Sequence, residues 1–168
     1  MHPSFVYVIL TDTARLITFA SLQTFILFLN AKAGREVKMK LLVGYDELNV
    51  DKRSLELSQK YANAFNADVY IMMSLEQRPT LQKDDIEEAE DKLEKLKVPF
   101  NKDNINCETL VSVNYLTPGE DLVQFARDND IDLVFIGIKK KSKVGKMVFG
   151  SNAQYVILNA PCPVVTVQ

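Results

Sequence analysis

From residue 40 onward, short apolar runs alternate with amphipathic stretches. Lys40-Leu41-Leu42-Val43-Gly44 is an apolar run closed by a turn residue, the pattern of a buried strand. Leu55, Leu57, Tyr61, Ala62 and Phe65 fall near one helical face, behind Asp51 as a candidate cap. Asn66-Ala67-Asp68 ends that helix, and Val69-Tyr70-Ile71-Met72-Met73 predicts a second buried strand. Between Gln82 and Lys97, Ile86, Ala89, Leu93 and Leu96 mark one apolar stripe on a charged helix, which Val98-Pro99 is expected to stop. A looser strand follows from Ile105 to Val113. Thr117-Pro118-Gly119-Glu120 has the capping-box spacing with proline at the first helical position, and Leu122, Val123, Phe125 and Ala126 form the buried side. Ile131 to Ile138 reads as a strand, about Ser151 to Asn159 as a helix, and Pro163-Val164-Val165-Thr166-Val167 as a last strand.

The predicted order is β-α-β-α-β-α-β-α-β. Strands separated by helices need right-handed crossovers, so the fold class is α/β: an open, five-stranded parallel sheet, doubly wound, with helices on both faces. Ligands of such sheets lie beyond the carboxyl ends of the strands, where the strand order reverses. The turn after the first of these strands and the loop after the fourth occupy that edge.

The first 38 residues break the pattern. They hold the runs Phe5-Val6-Tyr7-Val8-Ile9-Leu10 and Phe25-Ile26-Leu27-Phe28-Leu29, with four cations (Arg15, Lys32, Arg35, Lys38) against two acids (Asp12, Glu36). We therefore divide the chain into an apolar extension, 1–38, and a domain, 39–168. One reading of the extension is a start-site artefact: codons for Ala33-Gly34-Arg35-Glu36-Val37 can resemble a bacterial ribosome-binding site, which sets initiation at Met39. The alternatives are a native membrane-associated segment and a cleaved signal. Asp12 and Arg15 interrupt any span of the roughly 20 apolar residues a membrane needs, and Met1-His2-Pro3-Ser4 lacks a basic n-region.

Composition narrows the chemistry. With 47% hydrophobic and 25% charged residues the chain is ordinary globular material. A net charge of −2 gives no electrostatic basis for nucleic-acid binding. The single histidine, His2, argues against histidine-based metal sites and triads. Cys107 and Cys162 lack CxxC spacing, and Cys162, between two prolines, is expected to be buried. Met72 and Met73 are expected in the core. Asp84-Asp85 and Glu87-Glu88 read as solvated helix charge, with no metal. Asp46-Glu47 is a poor acid/base pair, because neighbouring strand-end residues point apart.

The loop after the fourth predicted strand, Gly137 to Asn152, is richer. Lysines 139, 140, 141, 143 and 146 give it a positive field, and Gly150-Ser151 opens a helix whose amides form a candidate phosphate cradle. The plainer alternative is that Gly150 ends a loop, Ser151 caps a helix and the lysines coat a solvated surface. No Walker A sequence is present.

Val43-Gly44-Tyr45-Asp46, the element order, this glycine loop and Ala160-Pro161-Cys162-Pro163-Val164-Val165 together resemble the universal stress protein family over residues 39–168. The family's nucleotide signature is Gly, two residues, Gly, nine residues, then Gly-Ser or Gly-Thr. Gly137 and Gly150-Ser151 match it, while Lys140 stands at the second glycine. The resemblance implies a Rossmann-like domain that binds ATP or another adenine nucleotide, with Mg2+ as a companion ion. It places Asp46 on ribose or adenine with Gly44 and Tyr45 beside it, and Ser74 near the base. Gly137, Lys140, Gly150, Ser151 and Asn152 would approach ribose and phosphates. It also implies a homodimer through the last strand, near Pro163–Val167. The expected function is that of a cytoplasmic stress-response regulator, with slow ATP hydrolysis at most, since no residue set supplies an activated water or nucleophile. The alternatives are a nucleotide-free dimeric interaction module and, if the extension is native, a membrane-tethered regulatory domain.

Overall fold

A computed structural model describes residues 6–9, 38–46, 52–138 and 150–167. The elements are β1 (Val6–Ile9), β2 (Lys40–Gly44), α1 (Lys52–Phe65), β3 (Asp68–Glu76), α2 (Lys83–Lys102), β4 (Cys107–Asn114), α3 (Pro118–Asp128), β5 (Leu133–Gly137), α4 (Ser151–Asn159) and β6 (Val164–Val167). One sheet holds all six strands in the order β1-β6-β5-β2-β3-β4. The expected five-stranded parallel sheet is present as β2 to β6. The sixth strand, β1, comes from the 1–38 extension and runs antiparallel to β6, pairing Val6 with Val167 and Ile9 with Val164. Such an addition rests on backbone hydrogen bonds to an open edge, which leave no mark in side-chain periodicity.

Strand residues alternate between two core layers. Leu41, Val43, Leu133, Phe135, Val165 and Val167 face the layer that takes Tyr61 and Ala62 of α1 and Ala89, Leu93 and Phe100 of α2. Leu42, Val134, Ile136 and Val164 face the other, with Leu122, Val123 and Ala126 of α3 and Val156 and Ile157 of α4. Both faces are covered, so the inner strands β2, β5 and β6 are buried in continuous runs rather than alternating, whereas the edge strand β4 alternates with Glu108 exposed. Met72 and Met73 are buried in opposite layers, as expected of core residues.

Three helices hand over to the next strand by the same device. Asn66, Asn104 and Asp130 take positive φ of 51°, 56° and 52°. The following amides of Ala67, Ile105 and Ile131 donate back to the carbonyls of Ala62, Phe100 and Ala126. This is a Schellman closure, with Asn or Asp in the left-handed position where glycine is commoner.

Pro99 corrects the sequence reading. It lies inside α2, which continues to Lys102 instead of stopping at Val98-Pro99. Proline removes one helical hydrogen bond, but Phe100 is 1% exposed, and burying such a ring contributes about 1.5–3 kcal/mol. The Pro99 carbonyl also accepts from Gln59 Nε2 at 3.2 Å. Asp51 and Glu47 lie outside the described residues.

Candidate functional site

The strand order reverses between β2 and β5: β3 and β4 extend one way, β6 and β1 the other. The helices after β2 and β5 pack on opposite faces, so a crevice opens at the carboxyl ends of these two strands. A cleft of about 200 Å³ lies there.

From β2 the cleft receives Val43, Gly44, Tyr45 and Asp46. The Tyr45 amide donates to the Met72 carbonyl at 2.8 Å, so the β2–β3 ladder runs one residue past the strand and fixes the approach of Asp46. From β5 come Ile136, Gly137 and Ile138, with the Ile138 amide held by the Val167 carbonyl at 2.8 Å. β3 contributes Ser74. Its Oγ is buried and has no hydrogen-bond partner among the described residues. A buried hydroxyl left unpaired costs about 1–3 kcal/mol, so this atom is suited to a polar ligand group.

The opposite wall is the start of α4. Gly150 occupies the N-cap with extended φ and ψ of −65° and 156° and offers no side-chain cap. Gly150, Ser151, Asn152 and Ala153 all line the cleft. The first amides of a helix have no intrahelical acceptor and carry the positive end of its dipole, so this wall favours an anion.

Close helix packing holds the wall in place. A Cβ on Gly119 would lie 2.8 Å from the Asn152 carbonyl oxygen, so the lack of a side chain there lets α3 seat against the first turn of α4. A Cβ on Gly44 would lie 2.8 Å from Leu122 Cδ1, which packs α3 over the end of β2. The start of α3 is itself fixed by its capping box: the Glu120 amide donates to Thr117 Oγ1 at 3.4 Å, and the Thr117 amide to Glu120 Oε2 at 2.9 Å. The Thr117 hydroxyl also donates to Glu120 Oε2 at 2.7 Å, and this bond, followed by that from the Thr117 amide, holds the Glu120 carboxyl below the usual carboxylate range.

Eight of the residues singled out from sequence meet at this cleft: Gly44, Tyr45, Asp46, Ser74, Gly137, Gly150, Ser151 and Asn152. Lys140 lies outside the described residues, as do the other loop lysines. Sequence reasoning missed Ser54 and Leu55 of α1 and Pro118 and Leu122 of α3, which close the cleft from above and below the sheet. Pro118 was recognisable as a helix start, but its place at the strand ends depends on the crossover. Asp121, on the first turn of α3, was also missed: it is 6% exposed, and its Oδ2 has no partner among the described residues. The acidic residues of α2 point to solvent, and no group of three metal-ligating side chains occurs among the described residues. Both cysteines are buried and unpaired, and burial pushes each thiol up to about 12.

The chain is similar to known proteins along nearly its whole length. A universal stress protein of Methanocaldococcus jannaschii is 26% identical over 162 residues, which cover 88% of this chain and 92% of that one. That share exceeds residues 39–168, so the alignment takes in residues ahead of Met39. The solved structure of a universal stress protein from Archaeoglobus fulgidus superposes with a TM-score of 0.70 at 31% identity, covering 79% of this chain and 100% of that one. Another A. fulgidus structure, of a universal stress protein in complex with dAMP, has a TM-score of 0.67 at 28% identity and covers 79% and 99%. The family model described as "Universal stress protein family" matches residues 39–168. The chain belongs to the universal stress protein family.

Proposed function

We propose that the cleft binds an adenine nucleotide, ATP or a close relative, and that the protein acts as a cytoplasmic stress-response regulator rather than as an enzyme. The observation that carries this reading is the buried, unpartnered Ser74 hydroxyl on one wall, facing a cleft whose other wall is the uncapped N-terminus of α4. One wall suits a polar base or sugar, the other a phosphate. A relative of 28% identity is known in complex with dAMP, which supports the same ligand class here.

In this reading Asp46 holds ribose or base, with Gly44 and Tyr45 allowing close approach. Gly137, Gly150, Ser151 and Asn152 serve the sugar and phosphates, and Lys140 supplies a cation where the family signature has its second glycine. Mg2+ would arrive with a triphosphate, since the described residues offer no metal cluster of their own. The homodimer implied by the last strand belongs to the same reading, and β6 is the strand concerned.

Two measurements test the nucleotide. Heat-denatured protein is assayed for nucleotide in the supernatant, and calorimetry follows titration with AMP, dAMP and Mg-ATP. Carried-over adenine nucleotide or a saturable heat is expected. Ser74→Ala should weaken the affinity about fivefold, the weight of one net hydrogen bond of about 1 kcal/mol. An empty supernatant together with no heat from any of the three would overturn the assignment.

A further inference from the structure

Two buried side-chain oxygens have no hydrogen-bond partner among the described residues, Ser74 Oγ and Asp121 Oδ2. They sit on elements packed against each other. Tyr70, Met72 and Ser74 share the face of β3 on which α3 lies, and the Phe125 ring is 5.9 Å from that of Tyr70. α3 runs against the strand direction. Pro118 at its start lines the cleft, and the Asn129 carbonyl beyond its end accepts from Lys40 Nζ at 2.8 Å, at the start of β2.

From the Tyr70–Phe125 contact, strand and helix can be followed together toward the cleft. Asp121 lies one turn before Phe125, about 6 Å along the helix. Met72 and Ser74 lie about 7 and 13 Å along the strand from Tyr70. The Asp121 backbone is thus level with Met72, and helical side chains lean toward the helix N-terminus, here the direction of Ser74. Ser74 lines the cleft, and Asp121, 6% exposed, stands behind it.

The two groups are chemically complementary. A carboxylate in a first helical turn is favoured by the dipole and offers only acceptors, whereas a hydroxyl has one proton and two lone pairs. The neighbouring amide is already engaged: Asn114 Nδ2 donates to Ser112 Oγ at 3.0 Å, and Asn114 Oδ1 accepts from the Leu116 amide at 2.8 Å.

We propose that Asp121 is a positioning residue for Ser74: it accepts the hydrogen bond of the Ser74 hydroxyl, which then turns only lone pairs to the cleft and selects a base bearing an amino group. The proposal rests on the nucleotide reading of the cleft and assigns the base preference to a residue that does not touch the ligand. An exocyclic amino group finds an acceptor in Ser74 Oγ. A keto oxygen in the same place meets lone pairs with a buried carboxylate behind them, and no proton is left to bridge the two.

The test is calorimetry on the full chain with AMP and inosine monophosphate, which carry an amino and a keto group at the same ring carbon. The unmodified chain should bind AMP about tenfold more tightly or better, the weight of one polar contact left unmade. Asp121→Asn keeps the side chain's shape, removes a buried charge and can donate to Ser74 Oγ, which frees the hydroxyl proton for the ligand. The preference for AMP should then fall toward equality. Ser112→Ala, at the register partner of Ser74 on β4, should leave the preference as it was. Equal affinity of the unmodified chain for the two nucleotides would overturn the proposal and leave the nucleotide reading standing. So would a preference that survives Asp121→Asn, or one lost in Ser112→Ala. Binding of neither nucleotide would instead sink the nucleotide reading, and this proposal with it.

Discussion

Gly150 and Ser74 divide the work at the cleft in a way that single substitutions resolve. A Cβ added at Gly150 meets no atom of the described residues within 4 Å, and the backbone there is extended, so a side chain can branch from it without strain at Cβ. Gly150→Leu should therefore keep the unfolding midpoint of the parent while placing bulk at the anion-binding wall. The expected outcome is nucleotide affinity lowered at least tenfold with an unchanged circular-dichroism melt; equal affinity would show that the start of α4 takes no part in binding. At this scale the sequence was informative about Gly137, Gly150 and Ser151, because a signature with fixed spacing names them. It was nearly silent about Ser54 and Asp121, whose burial depends on which helix face the crossover turns inward.

Helix starts were the most legible features. The Thr117 capping box is present as its spacing predicts, and α4 spans Ser151–Asn159 as expected. Thr117→Ala should cost about 1 kcal/mol in urea unfolding at neutral pH, the usual weight of an N-cap. The pH dependence follows from Glu120, whose pKa is lowered in the folded state. Its contribution is complete above the ordinary carboxylate range and is lost as pH falls through the lowered value. The stability gap between the unmodified chain and Glu120→Ala should therefore close in acid; a gap that widens would contradict the pairing. Pro99 was misread because proline is a stop signal only when nothing beyond it needs the helix, and here Phe100 does. The three left-handed turns were only partly legible. Asn66 marked a break, whereas Asn104 and Asp130 look like ordinary polar residues until their φ is known.

On the scale of the whole molecule, the sheet separates two core layers, and each layer holds one cysteine: Cys107 with α1 and α2, Cys162 with α3 and α4. Burial pushes both thiols to about 12, so neither should react with a thiol reagent at neutral pH in the folded protein. In a urea series both should become reactive at one midpoint, since the strands between them are shared. Two separate midpoints, read by mass spectrometry of the labelled sites, would mean that the layers open independently. The parallel α/β plan was legible from the alternation of runs, but β1 was not, because the run Phe5–Leu10 says nothing of which edge receives it. Its position has a consequence for the order of assembly. β2 pairs β3 soon after both are made, but β5 must be inserted beside β2 much later, and the Val6–Val167 pair joins nearly the two ends of the chain. Long-range pairings of this kind form slowly. Of the six described strands β1 is made first, yet its docking edge, β6, is the last of them to be made. The first of these strands to be made is therefore the last that can be placed, and its docking completes the six-stranded sheet.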